Sequence, residues 1–385
     1  MRWPTNSILL AVSLGMLGAC ERQPAYRATP VKQALPDKPA KQAAPGAQRK
    51  RECVERLLAT AAPRDHGLLR SLCAEWENQA IPGLALAIVE KGQLRLHVEL
   101  GVRCSGAIDP VDSNTEFRFG SISKTFTAAL VLDSFDPAAL ETPVALPELV
   151  WPASMDPPTL AALLRHRSGL GEIAPDQIVA FAGAWKPALA HSPTAGLAGE
   201  WHYSNAGYVV VGALLEARLG QSYEAALQAR FSATPTITSD PTRAHAPACG
   251  HLREPERMRS IPIAHDLDFM PGDPSWLRPT GGVLGTAEDL ARFGAQLDPR
   301  MLVPGLSLPR DAWHHRGSDE RYGLGLRSWV LEDGTQLFGH SGDTGTFSAE
   351  LVVAPDRQIA IALVANGPMA SNSVMLAIER SIAAD

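Results

Sequence analysis

Beyond its first twenty residues the 385-residue chain has no apolar run long enough to cross a bilayer, which excludes a multi-span membrane protein. No internal repeat is visible, and an ordinary hydrophobic content of 45% excludes whole-chain disorder, collagen and coiled coil. Positive charge is missing where a nucleic-acid enzyme would need it. Residues 21–51 carry Arg22, Arg27, Lys32, Lys38, Lys41, Arg49, Lys50 and Arg51 against Glu21 and Asp37, so residues 52–385 are left with a net charge of −13, which repels phosphate backbones. Also absent are C-x-x-C and H-E-x-x-H, the spacings that bring zinc ligands together. The adjacent pairs His314-His315 and His265-Asp266 do not replace them, so neither metal nor other cofactor is expected.

What is present begins with a leader. Residues 1–19 have a charged start (Arg2), a short apolar middle (Ile8 to Leu17) and small residues just before Cys20. This resembles a bacterial lipoprotein signal, which implies an exported protein lipidated on Cys20 and attached to the membrane through that lipid alone. An ordinary secretion signal is the alternative. Glu21 after the cysteine implies, by the same resemblance, sorting to the periplasmic face of the outer membrane. Residues 20–51 are rich in Pro, Ala, Gln and Lys and offer almost nothing to bury, so they are expected to be a disordered tether. Cys53, Cys73, Cys104 and Cys249 then remain, and four cysteines allow three pairings. In an oxidising compartment one or two disulfides are expected, with Cys53–Cys73 and Cys104–Cys249 the preferred arrangement.

Length alone allows about two domain-sized units. His66 to Ala80 has apolar residues at helical spacing and ends at Ile81-Pro82-Gly83. Leu84–Val89 and Leu94–Val102 are strand candidates around the hairpin signal Lys91-Gly92. Near the other end, 336–338, 348–353 and 359–364 are further strands, Pro355-Asp356-Arg357 a turn, and 373–383 a closing helix. Residues 159–297 are expected to be mainly helical. The fold class is therefore α/β of the α+β type: an antiparallel sheet built from both chain ends, flanked by helices, with an inserted helical lobe.

The chemistry concentrates in three places. Ser121-Ile122-Ser123-Lys124 opens an apolar helix, which puts Lys124 on the same face as Ser121 and the Ser121 hydroxyl near the positive end of the helix dipole. A serine becomes nucleophilic when a neighbouring base removes its proton, which is the use of the S-x-x-K spacing. Tyr203-Ser204-Asn205 places a phenol and an amide two residues apart on an extended approach to a helix, pointing the same way. Gly339-His340-Ser341-Gly342-Asp343-Thr344-Gly345 lies between strand-like segments, with glycines that let a backbone come close.

In this order the three motifs resemble the class C β-lactamase family, which includes penicillin-binding D-alanyl-D-alanine peptidases, esterases and D-aminopeptidases. Further landmarks agree: Leu163-Leu164-Arg165-His166-Arg167-Ser168-Gly169-Leu170, Gly281 to Leu290, and Tyr322-Gly323-Leu324-Gly325. The resemblance covers residues 66–383 and implies one β-lactamase/transpeptidase-like domain over 52–385. It implies Ser121 as acylated nucleophile, Lys124 and Tyr203 as the proton-handling pair, and Asn205, His340, Ser341 and Gly342 as substrate contacts, with His340 and Ser341 holding a substrate carboxylate or else supporting Tyr203. The backbone N–H groups of Ser121 and Asp343 would form the oxyanion hole. The substrate would be a D-alanyl cell-wall peptide, a β-lactam or an ester; a non-catalytic binder of wall peptides or β-lactams is the reading from another class.

This sequence departs from the family pattern in two places. His340 stands where the lactamases have the lysine of Lys-Thr-Gly, replacing a permanent cation by a group with an unperturbed pKa of ~6.5. The Asp343 carboxylate would oppose an oxyanion if it faced the pocket, so it is expected to point away. Arg230 to Pro235 also lacks the family phrase that follows the second motif, which implies a locally shortened lobe, and His166 is expected to be structural.

Overall fold

The computed structural model describes residues 45–145, 151, 155–171, 196–234, 236–254, 258–266, 277–309, 320–369 and 372–383. Cys20, the leader, most of the tether and His314-His315 lie outside the described residues. The first helix, α1 (Pro45–Leu58), already begins inside the segment read as tether, and Arg49 lies over the Trp76 ring and pairs with Glu77 of α2 (His66–Asn78). Helix is thus present before residue 52, within the segment that composition alone marks as tether.

The strands β1 (Gly83–Glu90) and β2 (Gln93–Gly101) form the expected hairpin; β3 (Phe117–Arg118) stands apart from it. Further along come the pair β4 (Cys249–Arg253) and β5 (Met258–Pro262), the short β6 (Leu284–Gly285) and the C-terminal strands β7 (Leu306–Ser307), β8 (Arg321–Tyr322), β9 (Arg327–Val330), β10 (Gln336–Asp343), β11 (Ser348–Ala354) and β12 (Ile359–Ala365). The described residues build an eight-stranded sheet in the order β2-β1-β12-β11-β10-β9-β8-β7. Its closure joins the two chain ends, with Leu84 opposite Ala365 and Glu90 opposite Ile359, every paired strand antiparallel. β1, β11 and β12 are buried on both faces, which is why they read as continuous apolar runs.

One face is covered by α1, α2 and α9 (Asn372–Ala383), through Leu68, Leu69, Leu72, Val374 and Ile378. On the other lie α3 (Ser123–Ser134), α4 (Pro137–Leu140), α5 (Leu160–Leu164), α6 (Asn205–Leu219), α7 (Tyr223–Arg230) and α8 (Ala287–Ala295), which make the helical lobe and its base. The lobe region is less purely helical than expected, because β4 and β5 form a hairpin within it.

The preferred cysteine pairing is the one formed: Cys53–Cys73 ties α1 to α2, and Cys104–Cys249 ties the loop after β2 to β4. α3 is apolar almost all round and is buried from Ser123 to Leu132, as a central helix must be. Phe126 on α3 stacks on Phe293 of α8 at 3.8 Å between centroids and meets Phe231 edge-on at 5.2 Å. Immediately before the helix, Arg118 is buried with Asp266 in a bidentate pair, Nε to Oδ2 at 2.6 Å and Nη2 to Oδ1 at 2.8 Å. Nη1 donates to the Gly282 carbonyl and Nη2 also to that of Ile263, so every nitrogen of the guanidinium is hydrogen-bonded.

Candidate active site

Ser121 sits in a single 3-10 turn, Gly120–Ile122, that runs straight into α3. Ser123 clamps this turn from below: its hydroxyl donates to the Gly120 carbonyl at 2.7 Å and accepts from the Val283 N–H at 2.9 Å. Lys124, one turn on, is fully buried, and its Nζ lies 3.0 Å from Ser121 Oγ, 2.7 Å from Asn205 Oδ1 and 2.9 Å from the Thr280 carbonyl. The last two are obligate acceptors, so they take two N–H donors and leave Ser121 facing either the third N–H of an ammonium or the lone pair of an amine. The site thus accommodates both protonation states of Lys124 without moving an atom heavier than hydrogen.

Tyr203 and Asn205 arrive on the N-terminal approach to α6. Ser204 caps that helix, accepting from Gly207 N–H at 3.1 Å, and its extended backbone turns Tyr203 and Asn205 to the same side. Tyr203 Oη is 2.9 Å from Ser121 Oγ, and Lys124 Nζ lies over the Tyr203 ring at 4.9 Å. Asn205 Oδ1 accepts from Thr280 Oγ1 at 2.6 Å as well as from Lys124, and two converging donors identify that atom as the oxygen. The amide nitrogen is turned the other way. Thr280 lies in the segment Arg278–Gly282, which α6 approaches closely because Gly212 has no side chain: a Cβ there would stand 2.2 Å from Pro279.

The third motif comes on β10, whose strand runs through Asp343 instead of ending at Phe338. Pairing with β11 continues to Asp343, whereas pairing with β9 stops at Gly339, so the edge from His340 to Asp343 is not covered by β9. Two glycines press this edge onto the serine turn. A Cβ on Gly342 would lie 1.9 Å from the Phe119 carbonyl and 3.2 Å from Ser121 N; one on Gly120, whose φ is +52°, would lie 2.7 Å from Asp343 N. The backbone N–H groups expected to form the oxyanion hole are therefore brought together by paired close approaches. The Asp343 carboxylate faces away, accepting from Gly345 N–H at 2.5 Å.

Two expected substrate contacts are placed elsewhere. His340 is 2% exposed, with Nε2 2.9 Å from Tyr322 Oη and Nδ1 2.6 Å from the Ser341 carbonyl, so both ring nitrogens are engaged inside the protein. The Ser341 hydroxyl is buried, on the sheet face opposite His340 by strand alternation, and makes no hydrogen bond among the described residues. His166, expected to be structural, lies at 4.3 Å from the Tyr203 ring and 3.2 Å from Tyr322 Oη. Burial, reinforced by the Lys124 charge, holds its imidazole well below the usual histidine range. Burial likewise pushes Tyr208 and Tyr322 well above the usual tyrosine range, so both remain neutral phenols. Thr280 and Tyr322 had no assigned role in the sequence reading. Thr280 acts partly through its main chain, which no motif records, and Tyr322 was visible only as the first residue of a strand landmark. Among the described residues no cluster of His, Cys, Asp or Glu could hold a metal ion.

The assembly supplies what acyl transfer to serine needs: a hydroxyl between two proton-handling groups and backbone donors beside it. The chain is 27% identical over 332 residues to penicillin-binding protein 4 of Amycolatopsis lactamdurans, covering 76% of this chain and 82% of that protein. It is 25% identical over 342 residues to a beta-lactamase of Escherichia coli strain K12, covering 75% and 85%. In fold it is similar to the octameric penicillin-binding protein homologue from Pyrococcus abyssi, with a TM-score of 0.66, 22% identity and coverage of 81% and 76%. The beta-lactamase/D-alanine carboxypeptidase from Pseudomonas syringae is similar too, with a TM-score of 0.67, 16% identity and coverage of 84% and 99%. The sequence model of the family described as Beta-lactamase matches residues 61–383, a span that encloses the sheet and every position from Ser121 to Asp343, and the chain accordingly belongs to that family of serine hydrolases.

Proposed function

We propose that this protein is an exported hydrolase that forms an acyl intermediate on Ser121, with D-alanyl peptides of the cell wall as its substrate. The observation that carries the reading is Ser121 Oγ held between Tyr203 Oη at 2.9 Å and Lys124 Nζ at 3.0 Å. Transfer of the Tyr203 proton to a neutral Lys124 by way of Ser121 gives a phenolate beside an ammonium. The phenolate then takes the Ser121 proton as Oγ forms its bond to the substrate carbonyl carbon. The carbonyl π electrons move onto oxygen, which the Ser121 and Asp343 N–H groups stabilise; such donors are worth about 3 kcal/mol each. Collapse of the adduct breaks the bond to the leaving group, which departs with the Tyr203 proton. Water repeats the sequence on the acyl-serine and frees the acid.

Among the described residues β9 leaves the β10 edge from His340 to Asp343 unpaired, and such an edge suits an extended peptide laid alongside it. Similarity to a penicillin-binding protein also supports this substrate class. A second reading has its own support: because both His340 nitrogens are engaged within the protein, simple esters lacking a carboxylate are the alternative acyl donors. Turnover of a D-alanyl-D-alanine peptide, of a neutral chromogenic ester and of a penicillin, each beside Ser121→Ala, separates the branches. Ser121-dependent release of D-alanine supports the peptidase; ester cleavage without it supports the esterase; rapid ring-opened product supports a lactamase. Silence with all three would leave the non-catalytic binder.

Export and lipid attachment at Cys20 belong to the same proposal. The two disulfides support an oxidising compartment. Among the described residues no helix is long and apolar enough to cross a membrane. Mass analysis of the mature N-terminal peptide beside Cys20→Ser tests the anchor.

A further inference from the structure

A chain of four hydrogen bonds runs behind the nucleophile and ends on the third motif. Ser204 N–H meets His166 Nδ1 at 3.1 Å, His166 Nε2 meets Tyr322 Oη at 3.2 Å, Tyr322 Oη meets His340 Nε2 at 2.9 Å, and His340 Nδ1 meets the Ser341 carbonyl at 2.6 Å. Both ends are fixed in polarity. A backbone N–H can only donate and a backbone carbonyl can only accept. His166 Nδ1 must therefore accept, which leaves its proton on Nε2, donated to Tyr322. At the far end the Ser341 carbonyl requires a proton on His340 Nδ1. Tyr322 accepts from His166 and has one proton to give, for which His340 Nε2 and the Tyr208 hydroxyl, itself donating to the Leu164 carbonyl, are the two acceptors; given to His340 Nε2, it completes the chain. Every donor then meets an acceptor.

We propose that Tyr322 is a positioning residue for the third motif: through this chain it holds His340 as a neutral imidazole with its proton on Nδ1, so that the third motif presents no cation to the substrate. The inference deepens the serine-hydrolase reading and rests on it for its functional meaning, though the proton positions themselves do not. The surrounding groups are consistent with the assignment. His340 shares a small cavity with Trp201, Tyr203, Leu308, Tyr322 and Arg327, and Arg327 is itself paired with buried Glu320. Lys124 lies over the rings of Tyr203 and Tyr208, and charge on Lys124, on His340 or on His202 disfavours charge on His166. Protonating His340 on Nε2 would aim a second N–H at Tyr322 Oη and force that hydroxyl to turn toward Tyr208.

The nitrogen spectra of histidine distinguish the two neutral tautomers from each other and from the cation. We therefore specify 15N-histidine NMR of the full chain at pH 7, with His166→Gln and His340→Gln spectra used for assignment. The expected result is a protonated Nδ1 and an unprotonated Nε2 on His340, with the reverse on His166. Tyr322→Phe removes the donor to His340 while keeping the ring. In that variant the fixed tautomer of His340 is expected to be lost, and acylation of Ser121 by its best acyl donor to slow roughly tenfold, the equivalent of one hydrogen bond. A wild-type His340 that is cationic or protonated on Nε2 overturns the proposal, as does an unchanged His340 spectrum in Tyr322→Phe. If that variant fails to fold, the wild-type spectrum decides alone. A correct tautomer in a protein that hydrolyses nothing would overturn the functional reading and leave this one standing.

Discussion

In the proposed reaction Ser121 is the nucleophile, and the groups around it are themselves held in place. The Thr280 carbonyl and Asn205 Oδ1 hold Lys124, and Thr280 Oγ1 fixes the orientation of Asn205. Tyr203→Phe removes a proton carrier without opening a cavity. It is expected to lower kcat by roughly 10²–10⁴-fold, the usual contribution of a general acid–base group, with KM little changed. His166 has a second, measurable consequence. Below pH ~6.5 an unfolded chain protonates this side chain while the folded one, with its depressed value, does not. Stability is therefore full above pH ~6.5 and falls as the pH drops toward the folded value, by up to about 1.4 kcal/mol per pH unit for this one proton. Denaturant unfolding across that window is expected to show a shallower slope in His166→Asn, a residue that tolerates the local φ of +56°. Ser121, Lys124, Tyr203 and Asn205 were legible in the sequence because their spacing is set by local geometry, one helical turn and one strand repeat. The inward turn of His340 was not, because its cause, the Tyr322 hydroxyl, lies 18 residues away in sequence.

β10 was read short because Gly339 and Gly342 look like turn residues, and glycine weakens an isolated strand. Tertiary contact reverses that preference. Gly342 must lack a Cβ for β10 to reach the serine turn, and Gly120 must lack one for the reverse approach. Gly342→Ala is expected to cost about 1–3 kcal/mol by overpacking. It should also slow Ser121 acylation more than its loss in Tm accounts for, since the added methyl drives the two N–H donors apart; parallel melting and stopped-flow labelling measure both. The β4–β5 hairpin escaped notice because Cys249–Arg253 and Met258–Pro262 are short, partly charged and largely half-buried, without the alternation that marks a strand. By contrast β1, β11 and β12 were legible because both of their faces are buried.

At the scale of the whole molecule, β1 and β12 meet in the sheet, while the two disulfides join α1 to α2 and the loop after β2 to β4. The Cys104–Cys249 bridge spans 145 residues, a separation whose chain-entropy value is about 5 kcal/mol, against about 3 for the 20 residues between Cys53 and Cys73. Loss of the longer bridge in Cys104→Ser/Cys249→Ser is therefore expected to lower Tm more than loss of the shorter one in Cys53→Ser/Cys73→Ser. Asp266→Ala should be more damaging than any exposed ion-pair variant, by about 3–5 kcal/mol, because it strands a buried Arg118 just ahead of the nucleophile. The strands at the two chain ends and the helices α2 and α9 could be read from apolar pattern, whereas β7, β9 and the Arg118–Asp266 pair, 148 residues apart, could not.

The central claim is that Ser121 becomes covalently acylated. Intact-mass analysis of the full-length protein after mixing with a fluorescent penicillin and, separately, with a neutral activated ester, followed by peptide mapping, tests it most directly. The account predicts a mass increase of one acyl group with at least one of the two reagents, located on the peptide bearing Ser121 and missing in Ser121→Ala. Turnover that is unaffected by Ser121→Ala, or an adduct that maps to another residue, would contradict it.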